Sequence, residues 1–309
     1  MPSHEEHSTD DVKNEVFVVE VEVVDDDANL FPQNQIKIFS NEENTVAPTS
    51  RIIVAVVAIV VAHYSYLLLS TMATFNCTVV QTSPIPGQEP GTSGLRKKTK
   101  EFMSPHYLNN FVQAVFDAVI AGGTNVSDGT LMVGGDGRYY NDVAIQTIIK
   151  MGVANGVKRF WIGKDGLLST PAVSATIRER GPVWQTAFGA FILTASHNPG
   201  GPTEDFGIKY NTQNGGPAPE YLMQTTFDNT KSIAEYKICT DFPDVDIYTV
   251  GSTKVGNVVV EVISSTESHV KLLKTIFDFD AIKSLLDRKD FTMVYDSMHG
   301  VNGKKEDII

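Results

Sequence analysis

From residue 107 to residue 286 the apolar residues switch repeatedly between helical spacing and the short continuous run of a buried strand. The pattern predicts helices over 107–121, 142–152, 171–180 and 218–236, with one or two more over 268–286. It predicts strands over 130–133, 159–162, 188–193 and 258–263. Strands joined through helices pair in parallel, because the helix is the crossover that carries the chain back to the same end of the sheet. The predicted class is therefore α/β, with a mostly parallel sheet covered by helices on both faces. A hydrophobic fraction of 42% in 309 residues is enough to fill such a core.

The strand over 188–193 stops just short of Thr194-Ala-Ser-His-Asn-Pro-Gly-Gly-Pro-Thr-Glu-Asp-Phe-Gly-Ile-Lys-Tyr-Asn211, and Gly215-Gly-Pro-Ala-Pro-Glu220 follows. A hydroxyl, an imidazole and an amine share this segment, on a backbone whose Gly and Pro residues turn sharply and let N–H groups approach a ligand. Ser196 would then occupy a loop at the carboxyl end of a strand, where open α/β sheets hold their ligands. It is the first candidate for a reacting group, with His197 and Lys209 beside it. The plainer reading is a turn and nothing more, as most such clusters are.

The wording of the segment separates these readings. Thr194-Ala-Ser-His-Asn-Pro-Gly-Gly-Pro, Asp205-Phe-Gly-Ile-Lys209 and Asn214-Gly-Gly-Pro-Ala-Pro-Glu220 resemble the phosphoserine loop of the eukaryotic type of phosphoglucomutase, in the α-D-phosphohexomutase family. Pro90-Gly-Thr-Ser-Gly-Leu-Arg96, Val133-Gly-Gly-Asp-Gly-Arg-Tyr-Tyr140 and Asp296-Ser-Met-His-Gly300 extend the similarity, which runs from about residue 86 to the C-terminus. Thr203-Glu204 stand where the family usually has Asn with a small residue. The resemblance implies that Ser196 carries a phosphoryl group and passes it to glucose 1-phosphate or glucose 6-phosphate. Glucose 1,6-bisphosphate would be the intermediate and activator. It implies Lys209 as the general acid and base, His197 in proton transfer or substrate contact, and Thr92, Ser93 and Arg96 as a phosphate-binding loop facing the serine. It implies Mg2+, held partly by the phosphate on Ser196, with sugar phosphates as the substrates.

By the same resemblance, residues 72–268 form the phosphoserine domain and residues 269–309 the start of a second α/β domain, with Phe291 to Gly300 as its first strand and turn. The family's Asp-Gly-Asp-Gly-Asp-Arg metal loop has no counterpart here. Asp25-Asp-Asp27 and Asp241-Phe-Pro-Asp-Val-Asp246 have the wrong context or spacing and read as solvated acidic runs. The expectation is that the chain as it stands turns over glucose 1-phosphate extremely slowly or not at all. The alternative is a non-catalytic, mutase-like binding protein, tethered to a membrane if the apolar segment described next is an anchor. A serine hydrolase reading fares worse, since Ser196 and His197 are adjacent and no Gly-x-Ser-x-Gly elbow occurs.

Residues 1–50 hold twelve acidic residues against Lys13 and Lys37, so this tail carries most of the net charge of −12 and reads as disordered. An acidic balance of this size argues against nucleic acid as a partner. His4-Glu-Glu-His7 has its histidines three apart in a tail, not four apart on a helix, and reads as surface. Residues 52–70 are apolar and uncharged, and at about 1.5 Å per residue they barely cross a hydrocarbon core of about 30 Å. Two readings stay open for 51–71, a transmembrane anchor or an extension ahead of a domain that starts at Met72. The mutase domain is expected in the cytoplasm. Cys77 and Cys239 are too few for a disulfide framework and show no metal spacing, so neither is given a role.

Overall fold

The computed structural model describes residues 75–91, 94–179, 187–298 and Gly300. The acidic tail, the apolar stretch 52–70, Thr92 and Ser93 lie outside the described residues. In chain order the elements are β1 (Cys77–Gln81), β2 (Leu95–Lys98), a single helical turn α1 (Thr99–Phe102), α2 (Tyr107–Ala121), β3 (Thr130–Gly135), α3 (Asn141–Ala154), β4 (Arg159–Leu167), α4 (Thr170–Glu179) and β5 (Ala187–Leu193). They continue with β6 (Asp205–Thr212), α5 (Glu220–Ser232), β7 (Glu235–Cys239), β8 (Gly251–Val255), β9 (Val258–Ile263), α6 (Glu267–Ile276) and α7 (Phe279–Leu286).

Seven strands form one sheet in the order β2-β6-β5-β3-β4-β9-β8. The four central strands, β5, β3, β4 and β9, are parallel; β6 and β8 run antiparallel to them, and β2 pairs antiparallel with β6 at the edge. Period-two alternation sends side chains to both faces. Leu131, Val133, Phe160, Ile162, Phe191 and Leu193 point into one core, which α2, α3 and α5 close. Their strand neighbours Met132, Trp161, Ala190 and Ile192 point into the other, against Ala172, Val173 and Ile177 of α4. Burial on both faces makes β3 and β5 continuous apolar runs rather than alternating ones.

Several expectations need correction. The helix predicted over 218–236 stops at Ser232, and the chain enters β7, which pairs with β1 in a separate two-stranded sheet. Cys77 and Cys239 stand opposite each other in that ladder and are joined by a disulfide. They lie 162 residues apart in sequence, so only the strand pairing brings them together. Leu95–Lys98, for which the spacing predicts no element, forms the edge strand β2. Residues 291–297, expected to begin with a strand, form none. No helix among the described residues is long and apolar enough to cross a membrane.

Candidate active site

The site lies at the carboxyl ends of β3 and β5. After Leu193 the chain leaves the sheet, turns through an exposed loop at residues 196–204, and returns as β6 antiparallel to β5. This return explains the thirteen-residue spacing between Ser196 and Lys209. In the hairpin register Ile192 faces Lys209, and the lysine Nζ comes to 3.5 Å from Ser196 Oγ. On the other side of β6 lies β2, with Arg96 opposite Gly207. Arg96 then reaches across, placing Nη2 at 3.3 Å from Ser196 Oγ and donating through Nη1 to Asn198 Oδ1 at 3.4 Å. Gly207 is required where it sits, because a Cβ there would fall 2.3 Å from the Thr194 carbonyl oxygen.

The serine hydroxyl is thus flanked by two cationic side chains from two adjacent antiparallel strands. Burial holds Lys209 below the usual lysine range, and the neighbouring Arg96 guanidinium lowers it further; Asp136 opposes the shift and Arg138 adds to it. A lysine so placed is neutral more often than one in water, which suits it to accept a proton. Ser196 has φ +56°, the left-handed region that serine seldom occupies. His197 is exposed at the mouth of the loop beside it. Of the six residues expected at the site, the structure brings Ser196, Lys209 and Arg96 together and leaves His197 adjacent.

Six further side chains shape the site and were given no role from sequence. Asp136 and Arg138, at the end of β3, form an ion pair at 2.7 Å. Thr194 donates its hydroxyl hydrogen to Asp136 at 2.6 Å and accepts the Ser196 N–H at 2.9 Å. Asn198 donates its side-chain amide to Asp205, and Lys98 pairs with Asp205 at 2.8 Å. Together they hold the Asp205 carboxyl below the usual carboxylate range, Lys98 contributing most. One signal for the first pair was available. Gly134-Gly-Asp-Gly-Arg138 places two charges at the carboxyl end of the strand next to β5, which is where a parallel sheet gathers its ligand-facing groups.

The described residues do not make a magnesium site. Among them no three His, Cys, Asp or Glu side chains are grouped to hold a metal ion. The groups nearest Ser196 Oγ are cationic, and Asp136 is engaged by Arg138 and Thr194.

Residues 87–237 match the sequence model of the phosphoglucomutase/phosphomannomutase α/β/α domain I. Residues 87–237 are thus a domain I of the phosphoglucomutase/phosphomannomutase family. A probable cytoplasmic phosphoglucomutase of Arabidopsis thaliana is 58% identical over 237 residues, spanning 75% of this chain and 40% of that protein. A cytoplasmic phosphoglucomutase of Mesembryanthemum crystallinum is 59% identical over the same length and the same shares. Among solved structures, the open form of Paramecium pp63/parafusin, a phosphoglucomutase, superposes with a TM-score of 0.67 at 38% identity, covering 74% of this chain and 42% of that one. The chain therefore spans about two fifths of the length of these relatives. The phosphoglucomutase domain I match contains Arg96, Asp136, Arg138, Ser196, His197 and Lys209, while β8, β9, α6 and α7 follow it.

Proposed function

We propose that this chain takes part in the interconversion of glucose 1-phosphate and glucose 6-phosphate, with Ser196 as the side chain that carries the phosphoryl group. The observation that carries the reading is the placement of Ser196 Oγ between Arg96 and Lys209, on a loop at the carboxyl end of a central strand. A serine hydroxyl alone is a weak nucleophile, and a phosphoryl group in transfer spreads negative charge over its equatorial oxygens. Arg96 and Lys209 supply positive charge where that charge develops.

The transfer is balanced as follows. Phospho-Ser196 gives its phosphoryl group to the free hydroxyl of glucose 1-phosphate or glucose 6-phosphate: the phosphorus–Oγ bond breaks, one to the sugar oxygen forms, and the sugar hydroxyl proton ends on Ser196 Oγ, giving glucose 1,6-bisphosphate. The other phosphoryl group then returns to Ser196: its bond to the sugar breaks, one to Oγ forms, and the Oγ proton ends on the released sugar oxygen. Lys209 Nζ is placed to take the proton from one oxygen and give it to the other. His197 completes the proton traffic or contacts the sugar, and Thr92 and Ser93 join Arg96 in binding phosphate. Mg2+ enters as an expectation for the family, supplying charge neutralisation when bound. The reading includes residues 72–268 as the phosphoserine domain, residues 269–309 as the beginning of another, and the cytoplasm as its place, in keeping with the names of the plant relatives.

Incubating the full chain with glucose 1,6-bisphosphate and mapping phosphate by mass spectrometry tests the proposal. The expected product carries one phosphate, on Ser196, and Ser196→Ala carries none. Phosphate on Thr194, equal labelling of the variant, or no labelling of the wild type would each defeat it.

A further inference from the structure

Arg138 is a buried charge whose donors have been distributed with some care. Its side chain is 6% exposed. Nε and Nη2 form a two-pronged pair with the Asp136 carboxylate, at 2.9 and 2.7 Å. The remaining hydrogens go to main-chain carbonyl oxygens of the serine loop: Nη1 to Asp205 at 2.7 Å, and Nη2 to Ser196 at 3.3 Å and Asn198 at 3.4 Å. A buried guanidinium is tolerable only when its charge is paired and its N–H groups are satisfied. Here the groups that satisfy it are three points along one loop.

Two independent contacts say the same. Gly200 lies against the stem of Arg138, where a Cβ would come within 2.9 Å of the arginine Cβ. The Asp136 carboxylate also accepts from Thr194 Oγ1, which in turn accepts the Ser196 N–H. One ion pair therefore fixes the backbone on both sides of Ser196, whose φ of +56° needs an outside constraint to persist.

We propose that the Asp136–Arg138 pair is the positioning element of the serine loop, holding residues 194–205 so that Ser196 Oγ stays between Arg96 and Lys209. The role rests on the reading of Ser196 as phosphoryl acceptor. Arg138 is a positioning residue and not a catalytic one, because it bonds main-chain oxygens and Asp136 rather than the Ser196 hydroxyl. Methionine in its place keeps much of the stem and removes the fork; lysine keeps the charge but cannot span several acceptors at once.

The experiment compares wild type, Arg138→Met and Arg138→Lys as full chains, by amide hydrogen exchange and by phosphate incorporation from glucose 1,6-bisphosphate. In Arg138→Met the amides of Ser196, Asn198, Glu204 and Asp205 should exchange at least about tenfold faster, with those of β3 and β5 unchanged. Incorporation onto Ser196 should slow by about 10²-fold with little change in the half-saturating donor concentration, as expected for lost alignment rather than lost binding. Arg138→Lys should recover part of the rate. Unchanged loop exchange in Arg138→Met would overturn the proposal. So would faster exchange spread equally through β3 and β5, which would make Arg138 a support of the whole domain. A wild type that takes no phosphate defeats the acceptor reading instead, and the exchange pattern still decides whether Arg138 holds the loop.

Discussion

The serine loop and the helices α6 and α7 are both exposed, yet they are held in opposite ways. The loop at residues 196–204 has no regular structure, but a buried ion pair, two hydroxyl and amide relays and the neighbouring strands fix it at many points. The two helices have regular backbone and well-segregated apolar faces, and neither contains a buried residue. Ile276, Phe277, Leu285 and Leu286 all remain exposed. Regularity and fixity are thus separate properties. An amphipathic pattern creates a helix with a face to bury, while a fixed position comes from partners, and a loop with buried polar partners can have more of them than a helix.

The comparison can be broken first at the loop, where the largest effect is expected. Lys209→Met should slow phosphate incorporation onto Ser196 by about 10²- to 10⁴-fold, the usual contribution of a positioned proton-transfer group. Incorporation should rise with pH as Lys209 loses its proton, along a limb lying below the ordinary lysine value because burial and Arg96 depress it. Arg96→Gln removes one depressing charge, so the limb should move to higher pH; a limb that stays in place would show that Arg96 is not a cause.

A second effect, of about 3 to 5 kcal/mol, should follow from Phe191→Ala in β5, whose ring is fully buried under the loop's anchoring strand. Thermal or denaturant unfolding measures it, and a loss below about 1 kcal/mol would mean the strand is not the loop's foundation. The smallest effects belong to the helices. Asp278 caps α7 by accepting the Ala281 N–H at 2.9 Å, and Asp278→Ala should cost about 1 kcal/mol locally while leaving the main unfolding transition of the sheet in place. Leu285→Ala, at an exposed site, should change the same transition by less than about 0.5 kcal/mol. Larger losses would show that the helices belong to the cooperative unit after all.

The central strands and helices were legible because burial on one or both faces writes itself into the spacing of apolar residues. The edge strands were not. β2 reads Leu-Arg-Lys-Lys and β6 includes Lys209 and Asn211, because an edge or site-facing strand carries the polar groups the site needs. β1 and β7 are five residues each, too short for period two to stand out, and their disulfide follows from a register invisible in sequence. At the site, Ser196, Lys209 and Arg96 were named through their motif. Arg138 and Asp136 were quoted but given no role, since what they do depends on β3 lying next to β5 and on carbonyl groups that no side-chain pattern records.

The left-handed backbone at Ser196 has a consequence for the mutational freedom of the chain. Glycine, asparagine and aspartate enter that conformation more readily than serine does. Each of these replacements would relax the loop, and each would remove the hydroxyl proposed to take the phosphoryl group. Stability and turnover therefore pull position 196 in opposite directions, so selection for thermal robustness alone would drift toward a firmer and inert protein.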